Sequence, residues 1–309
     1  MNSTITSNFQ MLIENLYSEK PSNYSFKINS FKKTIDIINN LDFEITNIEQ
    51  LKNIKGIGKG TLERISEIIK SGKLKENKNN SNNTNISEFK LLQTITGIGP
   101  AKATNLIKNN ITFNHLINNP SEDTLKQLTH HQLLGLKYYH DLNKKIPRDI
   151  ITSFISLLNK IKKKLNFTFT ICGSYRREKD LSSDIDVLIL EENHNLNSII
   201  ELLKNKNILV DDLTTKGNTK YMGICKIPNF SQFMRIDIRL IPSNSYPFAI
   251  LYFTGSKQTN TYMRNQAIKL NLKLNEYGLF DKNNNPILLK TEQEIFDYLK
   301  IEYKHPNQR

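Results

Sequence analysis

Asp184 and Asp186 stand one residue apart, directly before the apolar run at residues 187–190. Side chains along a strand alternate between its faces, so both carboxylates of such a pair project to one side. Two carboxylates held that close repel each other and raise one another's pKa unless a cation sits between them. Oxygen ligands of this type suit Mg²⁺, which keeps waters and substrate phosphates in its shell. A pair of solvated acids at a strand end would have the same spelling. The company argues against that: an apolar run at residues 169–172, then Gly173-Ser174, then Arg176 and Arg177. Gly-Ser lets backbone N–H groups approach a phosphate, and the arginines supply fixed positive charge beside it. Strand, Gly-Ser turn, basic segment, Asp-x-Asp and strand make a compact device for handling a nucleotide.

Other elements must position or accompany this stretch. Met234-Arg235-Ile236-Asp237-Ile238-Arg239-Leu240 alternates strictly, with Arg235, Asp237 and Arg239 on one face and the aliphatic residues on the other. A half-buried strand with surface ion pairs gives this pattern, and the strand also carries a further carboxylate at mid-length. Toward the N-terminus, Gly56-Ile57-Gly58 enters a helical pattern, and Gly97-Ile98-Gly99-Pro100 repeats it 41 residues later. Such glycine hairpins expose N–H groups at a helix start, where the dipole also favours phosphate. Between them, residues 76–87 hold six asparagines and almost nothing apolar, which predicts a flexible, solvated linker. Helices are predicted over 150–165, 197–204 and 292–298, and Pro147 places a boundary at Ile146. His130-His131 is read as structural, because adjacent helical histidines point to different sides.

The chain of 309 residues suffices for two to four compact units. Its 38% hydrophobic and 24% charged residues describe a soluble globular protein. A surplus of 43 Lys and Arg over 30 Asp and Glu, +13 in all, favours a polyanionic partner, nucleic acid first. No stretch is long and apolar enough to span a bilayer, and the first residues lack the pattern of a secretory signal. Cys172 and Cys225 are expected to be buried, reduced thiols of an intracellular protein, whether nuclear or cytoplasmic.

Gly173-Ser174-Tyr175-Arg176-Arg177 followed by Asp184-x-Asp186 resembles the nucleotidyltransferase signature of the family X DNA polymerases. The likeness runs from about Phe26 to residue 309 and takes in both hairpins. It implies an α+β multidomain chain. Residues 1–86 would form a helical, lyase-like helix-hairpin-helix domain ending in the linker. Residues 87–146 would form helical fingers with the second hairpin, 147–255 a mixed-sheet nucleotidyltransferase palm, and 256–309 a small α/β thumb at the nascent base pair. The implied activity is DNA-directed DNA synthesis that fills short gaps in base-excision-type repair, with a primer 3′-hydroxyl attacking a dNTP on two Mg²⁺.

The resemblance also assigns residues. Asp184, Asp186 and Asp237 would ligate magnesium and carry the chemistry. Arg148, Gly173, Ser174, Arg177, Ser182 and Ser183 would hold the triphosphate; Tyr252, Phe253, Gly255 and Asn260 would line the nucleotide. Gly56, Gly58, Gly97, Gly99, Lys216, Lys220, Arg235, Arg264 and Tyr277 would meet DNA, with Glu276 beside them. Carbonyls of Lys52, Ile54 and Ile57, and of Gln93, Ile95 and Ile98, would each hold a K⁺ or Na⁺. The implied partners are gapped or nicked DNA and a dNTP, with the chain as a monomer and a DNA ligase as protein partner.

The sequence departs from the family where relatives with 5′-deoxyribose-phosphate lyase activity carry their Schiff-base lysine: that position is Arg64. A guanidinium stays protonated and cannot serve as the amine nucleophile. Gly60 replaces a second lysine and Phe31 a tyrosine, while Lys27 persists and Lys59 is a substitute nucleophile to consider. Lyase activity is expected to be absent or weak. Ser183 replaces a phosphate-loop glycine, Lys257 an acid beside the incoming base, and Thr261 a lysine. A template-independent nucleotidyltransferase and a non-catalytic DNA-binding scaffold are the alternative readings.

Overall fold

The computed structural model describes residues 1–19, 24–78, 83–165, 167–191, 195–214 and 217–309. The chain divides into two compact units, residues 1–132 and 133–309.

The first unit is built from helices α1 (Asn2–Glu19), α2 (Tyr24–Asn39), α3 (Lys59–Ser71), α4 (Asn83–Gln93), α5 (Pro100–Lys108), α6 (Phe113–Asn118) and α7 (Glu122–Lys126). Ile5, Phe9, Ile13, Ile38, Ile65 and Ile68 recur at helical spacing and share one buried core. The two glycine hairpins have the same geometry. Gly56 and Gly97 take left-handed φ angles of 101° and 88°, which a side chain would resist. Gly58 and Gly99 then occupy the N-cap positions of α3 and α5 in extended conformation. The Ile57 N–H donates to the Ile54 carbonyl at 3.1 Å, and the Ile98 N–H to the Ile95 carbonyl at 3.0 Å.

The two ends of the asparagine-rich segment are regular structure. A 3₁₀ turn covers Lys75–Lys78 and α4 already begins at Asn83; residues 79–82 lie outside the described set. Phe89 and Leu92 are buried on α4, so a helix anchored by apolar residues downstream extends back through asparagines.

Helix α8 (His130–Lys137) leads into the second unit, where α9 (Tyr139–Leu142), strand β1 (Ile146–Pro147) and α10 (Arg148–Leu165) follow. Next come β2 (Phe169–Ile171), the single turn α11 (Gly173–Arg176), β3 (Leu181–Ser182) and β4 (Ile185–Glu191). Then α12 (Leu196–Asn205), β5 (Leu209–Asp212), β6 (Lys220–Lys226) and β7 (Phe233–Pro242) complete a mixed sheet of order β2-β4-β7-β6-β5. Only the β4–β7 neighbours within it run parallel. One sheet face buries Ile185, Val187, Ile189, Ile236, Ile238 and Leu240 against α10 and α12 residues. The other carries Leu188 and Ile241 under α13 (Tyr246–Thr254). Each buried aliphatic side chain contributes about 1.5–3 kcal/mol, so the period-two pattern of β7 fixes which face Asp237 must take. Helix α14 (Lys257–Lys269), a three-stranded antiparallel sheet of β8 (Lys273–Asn275), β9 (Gly278–Phe280) and β10 (Pro286–Ile287), and α15 (Glu292–Tyr298) gather around Met263, Leu279, Ile295 and Phe296.

Candidate active site

Strand register brings the acids together. Asp186 on β4 lies directly opposite Asp237 on the parallel neighbour β7. Asp184 sits one residue before β4 begins. Burial first, then the charges of Asp184 and Asp237, push the Asp186 carboxyl up to about 7. Arg235 and Arg177 act against that rise. Gly173 approaches from the other side with φ of 58°, and a Cβ there would run into Asp186 Oδ2. A backbone turn and a carboxylate share the space that a larger residue would fill.

Arginines hold the two flanking acids. Asp184 accepts a hydrogen bond from Arg235, and Asp237 accepts from Arg239 Nε at 2.8 Å and Nη2 at 3.2 Å. Among the described residues, no three His, Cys, Asp or Glu side chains are drawn together tightly enough to hold a metal ion as they stand. The donor set still fits a divalent cation: Asp186 and Asp237 paired across neighbouring strands and Asp184 two residues before Asp186, with the Asp186 carboxyl desolvated and raised by its neighbours. Arg239 engages both Asp237 oxygens, whereas Arg235 engages only Oδ2 of Asp184.

A cleft of about 780 Å³ opens over this corner. Gly173, Ser174, Arg177, Ser183, Asp184 and Asp186 line it, as do Tyr252, Phe253, Gly255, Asn260 and Arg264. Sequence reasoning singled out all of these. Lys145, Lys179, Leu181, Thr254, Ser256, Lys257 and Thr261 complete the lining. Ser182 is buried and accepts from the Ser174 hydroxyl at 2.7 Å. Arg177 donates to the Thr254 carbonyl, and the Asn260 amide donates to the Tyr252 carbonyl at 2.8 Å. The Arg264 guanidinium lies 5.1 Å from the Tyr252 ring centroid and 3.8 Å from Glu276.

Arg148 is placed elsewhere. It donates to the Tyr175 carbonyl at 2.6 Å and stacks 4.0 Å from the centre of that ring, outside the cleft lining. Lys220 opens β6 opposite Arg239, and Arg235 is engaged by Asp184. Tyr277 has an exposed side chain, while its carbonyl accepts from Ser245 at 2.8 Å. Lys216 lies outside the described residues.

The first unit has its own cavity of about 560 Å³, lined by Lys27, Phe31, Gly56, Gly58, Gly60 and Arg64 among others. Arg64 is tied to Glu76 at 3.1 and 3.2 Å, donates to the Gly60 carbonyl at 3.0 Å, and lies 5.3 Å from the Phe31 ring centre. Lys59 is not among the lining residues. Cys172 and Cys225 are buried, and burial drives both thiols upward, which makes them poor nucleophiles.

Comparison with known proteins accounts for nearly the whole chain. Residues 2–74 match a helix-hairpin-helix domain model and 90–143 the fingers domain of DNA polymerase lambda. Residues 145–243 match the DNA polymerase beta palm and 249–309 the DNA polymerase beta thumb. The chain is 30% identical over 337 aligned positions to DNA polymerase lambda of Arabidopsis thaliana, covering 100% of this chain and 62% of that protein. It is 27% identical to DNA polymerase lambda of Rattus norvegicus, covering 90% of this chain and 52% of that protein. It is 25% identical to DNA nucleotidylexotransferase of Xenopus laevis, covering 91% and 63%. The chain thus spans 52–63% of the length of these curated relatives. Among the described residues, no helix is long and apolar enough to cross a membrane.

Proposed function

Because this chain belongs to the family X DNA polymerases, we propose that it is a DNA-directed DNA polymerase that fills short gaps during repair. The observation that carries this reading is the register that sets Asp237 beside Asp186, with Asp184 and Asp186 lining a cation-rich cleft whose turn begins at Gly173. Asp184, Asp186 and Asp237 would hold two magnesium ions. Magnesium, when bound, lowers the pKa of a primer 3′-hydroxyl and offsets charge on the phosphate oxygens.

The protein's own groups do the rest. Ser174 and the backbone from Gly173 orient the triphosphate, and Arg177 meets the charge that grows on departing pyrophosphate. Tyr252, Phe253 and Gly255 would bound the sugar. The two hairpins would grip the DNA backbone without reading sequence, each with a K⁺ or Na⁺ on its carbonyls. The substrate would be gapped or nicked DNA with a dNTP, the active form a monomer inside the cell, and the sealing partner a DNA ligase.

Extension of a primer across a one-nucleotide gap tests the reading. Addition of the complementary nucleotide in Mg²⁺, and its loss in chelator, is the expected result. The relative named DNA nucleotidylexotransferase supports one rival, addition without a template. Equal extension of a primer lacking any template strand would favour that rival, and no incorporation at all would leave a DNA-binding scaffold.

Lyase activity is proposed to be absent or weak. The Arg64 guanidinium is held by Glu76 and Gly60, and it has no free-amine form to build a Schiff base. Borohydride treatment with a 5′-deoxyribose-phosphate substrate should therefore trap no protein–DNA adduct. A trapped adduct, mapped to Lys27 or Lys59, would overturn this.

A further inference from the structure

We propose that α1 is a strut that fixes the spacing of the two hairpins, so that the junction of Glu14, Tyr17, Phe89, Lys90 and Thr104 sets the length of gap on which the protein works best. This rests on the reading of both hairpins as grips on the DNA backbone, and every residue involved lies in the first unit. Each hairpin ends in the helix it caps, Gly58 before α3 and Gly99 before α5. Helix α1 is fastened to both. Toward its start, the Asn8 amide donates to the Gly72 carbonyl at the end of α3 at 3.2 Å, and its oxygen accepts from the Leu74 N–H at 3.1 Å. Asn77, in the turn that leads toward α4, donates to the Asn8 carbonyl at 3.2 Å. Farther along α1, about 14 Å from Asn8 at about 1.5 Å per residue, the Tyr17 ring stacks on buried Phe89 of α4 with centroids 5.7 Å apart. The Tyr17 carbonyl also accepts from the Thr104 hydroxyl of α5 at 3.2 Å, a proton shared with the Pro100 carbonyl at 2.9 Å. Thr104 is buried in the turn of α5 that follows the hairpin.

Glu14 separates this junction from ordinary packing. Its side chain is 3% exposed, and among the described residues its Oε2 has no hydrogen-bond partner. Oε1 accepts from Gln10 at 3.3 Å, and the Lys90 ammonium of α4 stands 3.2 Å from Oε2, off the hydrogen-bonding direction. Burying a carboxylate costs free energy that a half-exposed lysine offsets only in part, and an apolar residue of similar volume would hold the two helices as firmly. An ion pair adds what an apolar residue cannot. It fixes register, because α4 sliding or turning by one residue strands the buried charge. The second hairpin follows directly on α4, so that register sets where Gly97 and Gly99 lie relative to Gly56 and Gly58. Two grips held at one spacing favour a substrate of matching span, because the second contact then forms at high effective concentration. The matching span is a gap of one length with a strand on each side. A primer–template without a downstream strand engages one grip and gains nothing from the strut.

The test compares the wild type with Tyr17→Phe, Tyr17→Ala and Glu14→Gln, measuring kcat/KM on gaps of increasing length and on a primer–template without a downstream strand. Tyr17→Phe keeps the ring and the carbonyl and should match the wild type. Tyr17→Ala should flatten the dependence on gap length, lowering kcat/KM at the best gap about tenfold. Glu14→Gln keeps the shape of the side chain while removing its charge, and should lower the same value about threefold. The substrate without a downstream strand should stay within about twofold in every variant. Equal losses on both kinds of DNA, or a gap-length profile unchanged in both Tyr17→Ala and Glu14→Gln, would overturn the proposal. Spin labels on Lys70→Cys of α3 and Lys108→Cys of α5 separate this failure from failure of the polymerase reading. Both positions are exposed, while native Cys172 and Cys225 are buried away from the label. Without DNA, the distance between labels should be narrowly distributed in the otherwise unaltered chain and broad with Tyr17→Ala, whether or not primers are extended. A broad distribution in the unaltered chain, or equally narrow ones in both, would sink the strut alone.

Discussion

Asp186→Asn should cut templated incorporation by at least about 10³-fold while gapped-DNA affinity stays within twofold. The same substitution should make the protein melt at a higher temperature in chelator at pH 8. Both outcomes come from one carboxylate. Burial and the charges of Asp184 and Asp237 raise its pKa to about 7, so the folded state holds its proton more tightly than the unfolded chain does. A raised acid favours folding below its unfolded value, near 3.8, and loses that advantage as pH climbs through about 7. The wild type should therefore lose stability between pH 4 and 7 relative to Asp186→Asn, and the gap should stay open above pH 7. An amide has no charge to lose, and it is a poor magnesium ligand. A substitution that stabilises the fold and abolishes the reaction marks a site strained for function. Incorporation retained in Asp186→Asn would remove the assignment, and equal melting curves across this range would remove its electrostatic basis.

Local pattern made some of this legible. The alternation of β7 is a period-two signal inside ten residues, and it announced both the strand and the face that bears Asp237. Gly56 and Gly97 were readable because a positive φ excludes most other residues. The pairing of Asp186 with Asp237 was not local. A parallel pair joins segments about 50 residues apart, so no spacing within either strand reveals it; only resemblance to a known family did. Arg148 shows the limit of that route. Its partner, the Tyr175 carbonyl, lies 27 residues away, and the likeness could name the residue but not the way its side chain turns. Lys145 went unnoticed because β1 and β3 are two residues each, too short to leave a periodic trace. The start of α4 at Asn83 was not legible in the asparagine run, because the apolar anchors of that helix, Phe89 and Leu92, lie past its end.

Glu292→Ala should destabilise the fold by about 3–5 kcal/mol, the cost of leaving buried guanidinium charge without its carboxylate. Arg176 reaches Glu292 through Nη1 at 3.1 Å and Nη2 at 2.5 Å, and Arg309 Nη1 reaches the same carboxylate at 2.5 Å. The Glu292 side chain is 10% exposed and that of Arg309 is fully buried. Arg309 Nη2 already lacks a hydrogen-bond partner, and the ring centres of Phe296 and Tyr303 lie 5.2 and 5.6 Å from this guanidinium. Removing Glu292 would thus confront two arginines with each other and with apolar surface. At about 2–4 °C per kcal/mol for a unit of this size, the melting temperature should fall by roughly 10 °C. Burial alone would push Glu292 upward, but the Arg176 and Arg309 hydrogen bonds outweigh it and hold the carboxyl below its usual range. A depressed acid stabilises above its unfolded pKa and loses that contribution as pH falls through the folded value. The wild type's melting advantage over Glu292→Gln should therefore persist at pH 7 and shrink below about pH 4. The network also bears on the reaction, because Arg176 closes the turn α11 and donates to Thr254 at 2.6 Å, beside the cleft. Well below its melting point, Glu292→Ala should raise dNTP KM by loosening that turn, with DNA affinity unmoved. A normal KM with a lowered melting temperature would confine the clip to stability, and an unchanged melting temperature would refute the account of it given by burial and charge.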